Sequence, residues 1–289
     1  MRHEIGLGIG PATFRIGSAW RAPLDALARL YAAYPPVDLS RRVPDFTVRL
    51  QPTRPWRRLI RPSIFIAGDH WLPEAAPMAL EHGLLAAEMG MNLQMALGWR
   101  RHVLLHASSV ERDGKAIIIT GESGSGKSTL AAMLGERGWR LMGDEFALLD
   151  PVSGAVFPFP RLISLKNQAI DIATAGIASE RLGPLMAATA KGDIRHLVPR
   201  ADAIARMKEP ATPALLLFPQ YGPAADRRPV DPGEAFVRLT QASTNYVALG
   251  EAGFRALTRF VTQVPAVALD YPDSATVFAA IDDLWSRIG

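Results

Sequence analysis

The chain has 289 residues and a mass of 31.3 kDa, enough for one large domain or two small ones with a substantial core. Its 48% hydrophobic and 21% charged residues are ordinary globular fractions, which exclude wholesale disorder. Net charge is only +4 although the pI is near 9.6, and five lysines (Lys115, Lys127, Lys166, Lys191, Lys208) leave 27 arginines among the 32 basic residues. That arginine bias fits genome composition at least as well as nucleic-acid binding, so no nucleic-acid partner is expected. The lack of cysteine excludes disulfides, thiolate metal sites and cysteine nucleophiles.

No segment reaches the roughly 18 uncharged apolar residues of a membrane span, and Met1 to Trp20 lacks the charged start and apolar stretch of a signal peptide. A soluble cytoplasmic protein without a membrane partner is expected. In the first hundred residues, Phe14 to Ile16 reads as a strand. Leu24 to Tyr34 follows with helical spacing of Leu24, Leu27, Leu30 and Tyr31, and Pro35-Pro36 ends it. Phe46 to Leu50 and Ile64 to Ala67 alternate like strands. Around them lie Arg41, Arg42, Arg49, Arg54, Arg57, Arg58 and Arg61, with Asp45 the only acid. This stretch reads as a solvated connector in preference to an acidic-peptide or nucleic-acid docking surface, because its prolines break any continuous reader. From Glu74 to about Trp99 the spacing predicts a helix with Leu80, Leu84, Leu85, Met89, Leu93 and Leu97 on one face. Its methionines are expected as core filler.

Strands follow at Val103–His106 and Ala116–Thr120, joined by the turn Arg112-Asp113-Gly114. Next comes Gly121-Glu122-Ser123-Gly124-Ser125-Gly126-Lys127-Ser128, a full match to G-x-x-x-x-G-K-[ST] between a strand and a helix opening at Thr129. Each part has a physical reason. Glycines let backbone amides turn inward around a phosphate, and the helix N-terminus adds partial positive charge. Lys127 is expected to bridge terminal phosphates and Ser128 to ligate Mg²⁺, so ATP and Mg²⁺ are the expected cofactors.

The helix ends near Gly138, and Trp139 to Gly143 reads as a strand running into Asp144-Glu145. Two acids at a strand end after such a loop suit a magnesium ligand and a proton acceptor. Phe146 to Leu149 and Ala155 to Phe159 form a hairpin across Asp150–Gly154. Further on, Ala214 to Phe218 reads as a short strand before Pro219. Gly233 to Gln241 and Ala252 to Gln263 read as helices, Val267 to Asp270 as a strand, and Ser274 to Ile288 as a helix capped by Asp273-Ser274. Asn245 and Tyr246 fall in a loop, where packing or capping is weighed ahead of substrate contact. Alternating strands and helices predict a three-layer α/β body.

His106, the strand, the glycine-rich loop, and Gly138-Trp139-Arg140-Leu141-Met142-Gly143-Asp144-Glu145 together resemble the core of bacterial HPr kinase/phosphorylase over roughly residues 103–170. The whole chain is more similar still to the HPr kinase-related kinase A family. Leu105-His106-Ala107, Gly143 to Asp150, Pro160 to Asn167, Lys191-Gly192, Phe218-Pro219-Gln220-Tyr221 and Asn245-Tyr246 carry that likeness. The resemblance implies an α/β P-loop kinase core of the phosphoenolpyruvate-carboxykinase-like type with a smaller α/β N-terminal region, divided as residues 1–100 and 101–289. It implies MgATP-dependent phosphorylation of a serine or threonine hydroxyl on a peptide or protein acceptor. Glu145 stands where the HPr enzymes carry a second aspartate, and Ser128-Thr129 replaces their Ser-Glu. No HPr-binding signature is identified.

Carried over by position, Asp144 is general base or metal contact and Glu145 the companion metal or water ligand, with the two roles exchangeable. Gly121 to Thr129 hold the nucleotide, and Ser128, Asp144 and Glu145 the metal. His106 is either a group orienting phosphate or acid beside the loop or a hydrogen-bonded core histidine. Lys166 either presents its ammonium to the γ-phosphate or acceptor or is a solvated strand-end lysine. Lys191 and His196 are weaker candidates of the same kind. Two alternatives stay open: a small-molecule kinase of the same fold, and a nucleotide-gated peptide-binding module without phosphoryl transfer.

Overall fold

The computed structural model describes residues 3–71 and 76–288. By internal contacts the chain divides into two compact units, Met1–Trp99 with Arg161–Arg206, and Arg100–Pro160 with Met207–Gly289. A single boundary near residue 100 therefore accounts for the first crossing only. Residues 161–206, which sequence reasoning assigned to the second region, pack with the first unit.

The first unit is built on a five-stranded sheet in the order His3–Ile9, Ala12–Ser18, Phe46–Pro52, Ser63–Gly68, Met78–Ala79. Ala12–Ser18 and Phe46–Pro52 are parallel, and the helix Ala22–Leu30 lies in the connection between them. That helix buries Leu24, Leu27 and Leu30 as their spacing predicts, but it stops at Leu30 and leaves Tyr31 to Tyr34 in a turn. Arg54, Arg57, Arg58 and Arg61 surround a 3-10 turn, Pro55–Arg58, and are exposed or half-buried.

The long helix runs over Gly83–Gly98, later than expected, after a two-residue strand and a 3-10 turn at Leu80–His82. Glu74, its expected start, lies outside the described residues. The buried face also differs from the leucine stripe. Met89 and Leu97 are exposed, whereas Glu88, Met91, Gln94 and Met95 face inward. The reason is polar. Glu88 forms a buried ion pair with Arg161, whose guanidinium also donates to the Asn92 side chain and, at 2.9 Å, to the Glu88 carbonyl. The Tyr31 hydroxyl donates to the second Glu88 oxygen at 2.9 Å. Burial alone would lower the proton affinity of Arg161, but Glu88 and Tyr31 hold it above the ordinary guanidinium value. The partner sheet, Ile163–Lys166, Gly192–Leu197 and Met186–Thr189, follows directly from Arg161.

The second unit holds a six-stranded sheet in the order Asp226–Val230, Ala266–Tyr271, Thr212–Tyr221, Lys115–Thr120, Ala107–Arg112, Arg140–Gly143. Ala266–Tyr271, Thr212–Tyr221 and Lys115–Thr120 are mutually parallel, and the outer pairings are antiparallel. Along the central strand Ile117 and Ile119 alternate with Ala116 and Ile118, all at most 1% exposed, so both faces of the sheet are covered. Ala116, Ile118, Leu216 and Phe218 join the core beneath the helices Pro232–Ala242 and Tyr246–Gln263. The helix Lys127–Glu136 packs on the strands Ala107–Arg112, Lys115–Thr120 and Arg140–Gly143, and Ser274–Ser286 packs on Ala266–Tyr271. A small sheet of Val156–Phe157, Ala147–Leu149 and Val103–Leu105 completes the unit. The described residues thus form a mixed α/β structure with several sheets, and the second unit is layered helix, sheet, helix.

Two differences in this unit have local causes. The strand Thr212–Tyr221 continues past Pro219 because its ladder to Lys115–Thr120 ends at Leu217 and Ile119, so no neighbour on that side asks for an amide proton. Tyr246–Gln263 begins earlier than Ala252 because Gly250, at φ 55°, lets a first turn join the main helix across a kink.

The ion pair between Glu88 and Arg161 gives a stability prediction. Replacing Arg161 with Met strands a buried carboxylate and should destabilise the fold by about 3–5 kcal/mol, read from urea unfolding. The double variant Glu88→Leu/Arg161→Met should regain much of that loss.

Candidate functional site

The glycine-rich loop leaves the strand Lys115–Thr120 at its C-terminal end and enters the helix Lys127–Glu136. Parallel strands ending together at one edge place such a loop at the mouth of the sheet. Gly124 and Gly126 take φ of 89° and 99°, a region that favours glycine. At Gly126 sterics add a second reason, because a Cβ there would collide with the Tyr271 hydroxyl.

Lys127 is buried, and its ammonium donates to the carbonyls of Gly121 at 2.8 Å and Glu122 at 2.7 Å. It therefore closes the loop over its own backbone. From outside, Tyr221 donates its amide to the Ser125 carbonyl at 3.3 Å, and its ring meets that of Tyr271 with centroids 5.7 Å apart. Burial, with Tyr221 beside it, pushes the Tyr271 hydroxyl up to about 12. Ser125 Oγ is buried and has no partner among the described residues, and a Cβ on Gly124 would meet nothing within 4 Å.

Asp144 and Glu145 follow the strand Arg140–Gly143, as expected, yet their environments differ. Asp144 is 1% exposed, and one carboxylate oxygen accepts the Ser108 hydroxyl at 2.6 Å. Glu145 sits at φ 72°, a strained backbone for a residue with a Cβ, and its side chain is 24% exposed. Its carboxylate lies 3.6 Å from His106 Nδ1. The His106 side chain is 46% exposed, so it is no core histidine.

The backbone around His106 is pinned at several points. Its amide donates to the Ala242 carbonyl at 2.8 Å, and its carbonyl accepts the Thr120 hydroxyl at 3.0 Å. Asn245, buried, accepts the Leu104 amide and donates to the His102 carbonyl, both at 2.9 Å. Asn245 thus serves as a brace, the role weighed first from sequence.

His106, Thr120, Gly121, Glu122 and Ser123 line one side of a cleft of about 890 Å³. Phe218, Pro219, Gln220, Ala268 and Asp270 continue it across the parallel strand ends. Arg228, Arg238 and the stretch Gln241–Thr244 complete it.

The loop, Asp144, Glu145 and His106 all belong to the second unit. Lys166, half-buried at the end of its strand, belongs to the first, as do exposed Lys191 and buried His196. Sequence reasoning missed Ser108, Tyr221, Tyr271, Arg228 and Arg238. Ser108 had a signal in its place two residues after His106 in an alternating strand, and Tyr221 had one in the stretch Phe218-Pro219-Gln220-Tyr221. Tyr271 had none, because only the parallel pairing of Thr212–Tyr221 with Ala266–Tyr271 brings it to the loop.

Alkaline unfolding tests the tyrosine brace. The folded-state value of about 12 exceeds the unfolded value of about 10, so the hydroxyl's contribution is complete below pH 10 and lost as pH climbs through 12. Tyr271→Phe should remove up to ~2.5 kcal/mol of that decline between the two values, measured as the pH dependence of urea midpoints in variant and parent.

No protein-family model matches the chain, and no curated protein matches it. Among solved structures, the chain is similar to the HPr(Ser) kinase/phosphatase from Coxiella burnetii, at 16% identity and a TM-score of 0.31. That likeness covers 64% of this chain and 94% of the other. No helix among the described residues is long and apolar enough to cross a membrane.

Proposed function

We propose that the protein is an MgATP-dependent phosphotransferase acting on a serine or threonine hydroxyl of a peptide or protein. The observation that carries this reading is the complete loop motif between a parallel strand and a helix, with the Lys127 ammonium on the first two loop carbonyls. That geometry leaves the amides at the helix N-terminus for an anion.

The residues present suit the nucleotide and its metal. Ser125 Oγ is a buried hydroxyl without a partner among the described residues, and the loop is open at Gly124. Ser128 in the first helical turn and Asp144 at the strand end are hard oxygen donors of the kind magnesium takes. Bound magnesium would offset the negative charge of the phosphate oxygens. The loop amides and Lys127 would orient the phosphate chain. Asp144, immobilised by Ser108, suits a fixed ligand. Glu145, more open and beside His106, suits the proton-accepting role. Glu145 would take the acceptor hydroxyl's proton as that oxygen bonds to the γ-phosphorus. The bond from phosphorus to the bridging oxygen breaks with its electron pair leaving on ADP.

Lys127→Ala should lose nucleotide binding by about a hundredfold or more, measured by titration with a fluorescent ATP analogue. Unchanged affinity would remove the assignment. Asp144→Asn and Glu145→Gln should keep nucleotide affinity and lose transfer by about 10²–10⁴-fold. The assay is labelled ATP with candidate acceptors, including peptides encoded beside the gene, followed by mass spectrometry. Near-normal transfer in both variants would refute the carboxylate roles.

A further inference from the structure

The far side of the cleft carries groups that the transfer chemistry does not use. Strand register lays out its floor. Arg228 stands opposite Ala268, Ala268 opposite Phe218, and the next strand contributes Thr120. These four side chains share one sheet face. Arg238, from the helix Pro232–Ala242 above that face, places its guanidinium 4.7 Å from the Phe218 ring centroid.

The two arginines share one counterion. Arg228 grips Glu234 with both terminal nitrogens, at 3.0 and 2.7 Å, and Arg238 reaches the same carboxylate at 2.5 Å. Both guanidinium groups bond the one carboxylate of Glu234, while Asp226 and Asp231 attract Arg228 more weakly through the field. All three side chains are between 31% and 48% exposed, so an incoming anion can compete for them. Asp270 and Glu122, the acids of the cleft, belong to its rim. Asp270 lies two residues beyond the row of Ala268, alongside Gln220, and Glu122 is in the glycine-rich loop.

We infer that Arg228 and Arg238 form an acceptor-recognition subsite for an acidic side chain, with Glu234 as its internal competitor. This deepens, and rests on, the kinase reading above, because it assigns the cleft's second side to the peptide that brings the hydroxyl. The strand carrying Phe218, over whose ring Arg238 lies, and the strand that His106 precedes are separated by one other strand, so these two points lie ~10 Å apart at about 4.8 Å per step, with Arg228's strand two steps farther. An extended peptide rises about 3.3 Å per residue. The acidic residue is therefore placed about three positions from the accepted serine or threonine. Arginine is suited to this task because its planar fork binds a carboxylate through two parallel hydrogen bonds.

The sign of the effect separates recognition from structure. The probes are two fluorescein-labelled serine peptides, one with glutamate three residues from the serine and one with glutamine there. Binding is followed by anisotropy, with MgADP present so that the glycine-rich loop does not take up the anion. The glutamate peptide should bind about tenfold more tightly to the parent protein, and Arg228→Gln or Arg238→Gln should erase that preference. Glu234→Gln should tighten the glutamate peptide severalfold, because the competitor is gone. Asp231 still caps the helix in that variant, accepting the amides of Gly233 and Glu234.

Equal or absent binding of the two peptides to the parent, or weaker binding in Glu234→Gln, overturns the inference. So does loss of affinity for the fluorescent ATP analogue in Arg238→Gln, which would give that arginine to the nucleotide. Failure of the parent to bind nucleotide sinks the kinase reading instead, and the peptide preference is still read by repeating the titration without MgADP.

Discussion

A loop that points its amides toward one side must dispose of carbonyls elsewhere, and in this chain the Lys127 ammonium collects the first two of them. Around that contact the second unit is arranged. Parallel strands end together to provide the loop's platform, and the helix behind it points its N-terminus at the same place. Tyr221 and Tyr271 close the outer side, where any side chain larger than hydrogen at Gly126 would collide. Without the ammonium, the Gly121 and Glu122 carbonyls would lose the donor they share.

The carboxylates illustrate how adjacent residues acquire different chemistry. Asp144 points into a buried site and is fixed by a short hydrogen bond from Ser108. Glu145 is turned out by a left-handed backbone and meets His106. The strain at Glu145 accompanies this divergence, since an ordinary extended backbone alternates its side chains between opposite faces of the sheet. Sequence reasoning found both acids but left their roles interchangeable, because backbone dihedrals at a strand end are not written in residue type.

Legibility followed the range of the interactions. The loop motif, the Asp113-Gly114 turn and the Asp273 cap depend on neighbours within a few residues, and each was readable. The helix Gly83–Gly98 was read out of phase, because the partner that lets Glu88 turn inward lies 73 residues later. The strand Asp226–Val230, with its exposed Asp226, Arg227 and Arg228 and its proline, has an edge strand's composition and no apolar alternation to betray it. Tyr246–Gln263 was legible only beyond Gly250, where its periodicity is unbroken.

The order of the strands has a consequence for synthesis. Lys115–Thr120 and the glycine-rich loop emerge from the ribosome early, but the neighbouring Thr212–Tyr221 arrives almost a hundred residues afterwards and Ala266–Tyr271 later again. Because those late strands carry the two tyrosines, a nascent or truncated chain ending before them holds the loop without its outer wall. The enclosed geometry of the loop is thus assembled only after residues 212–271 have been made.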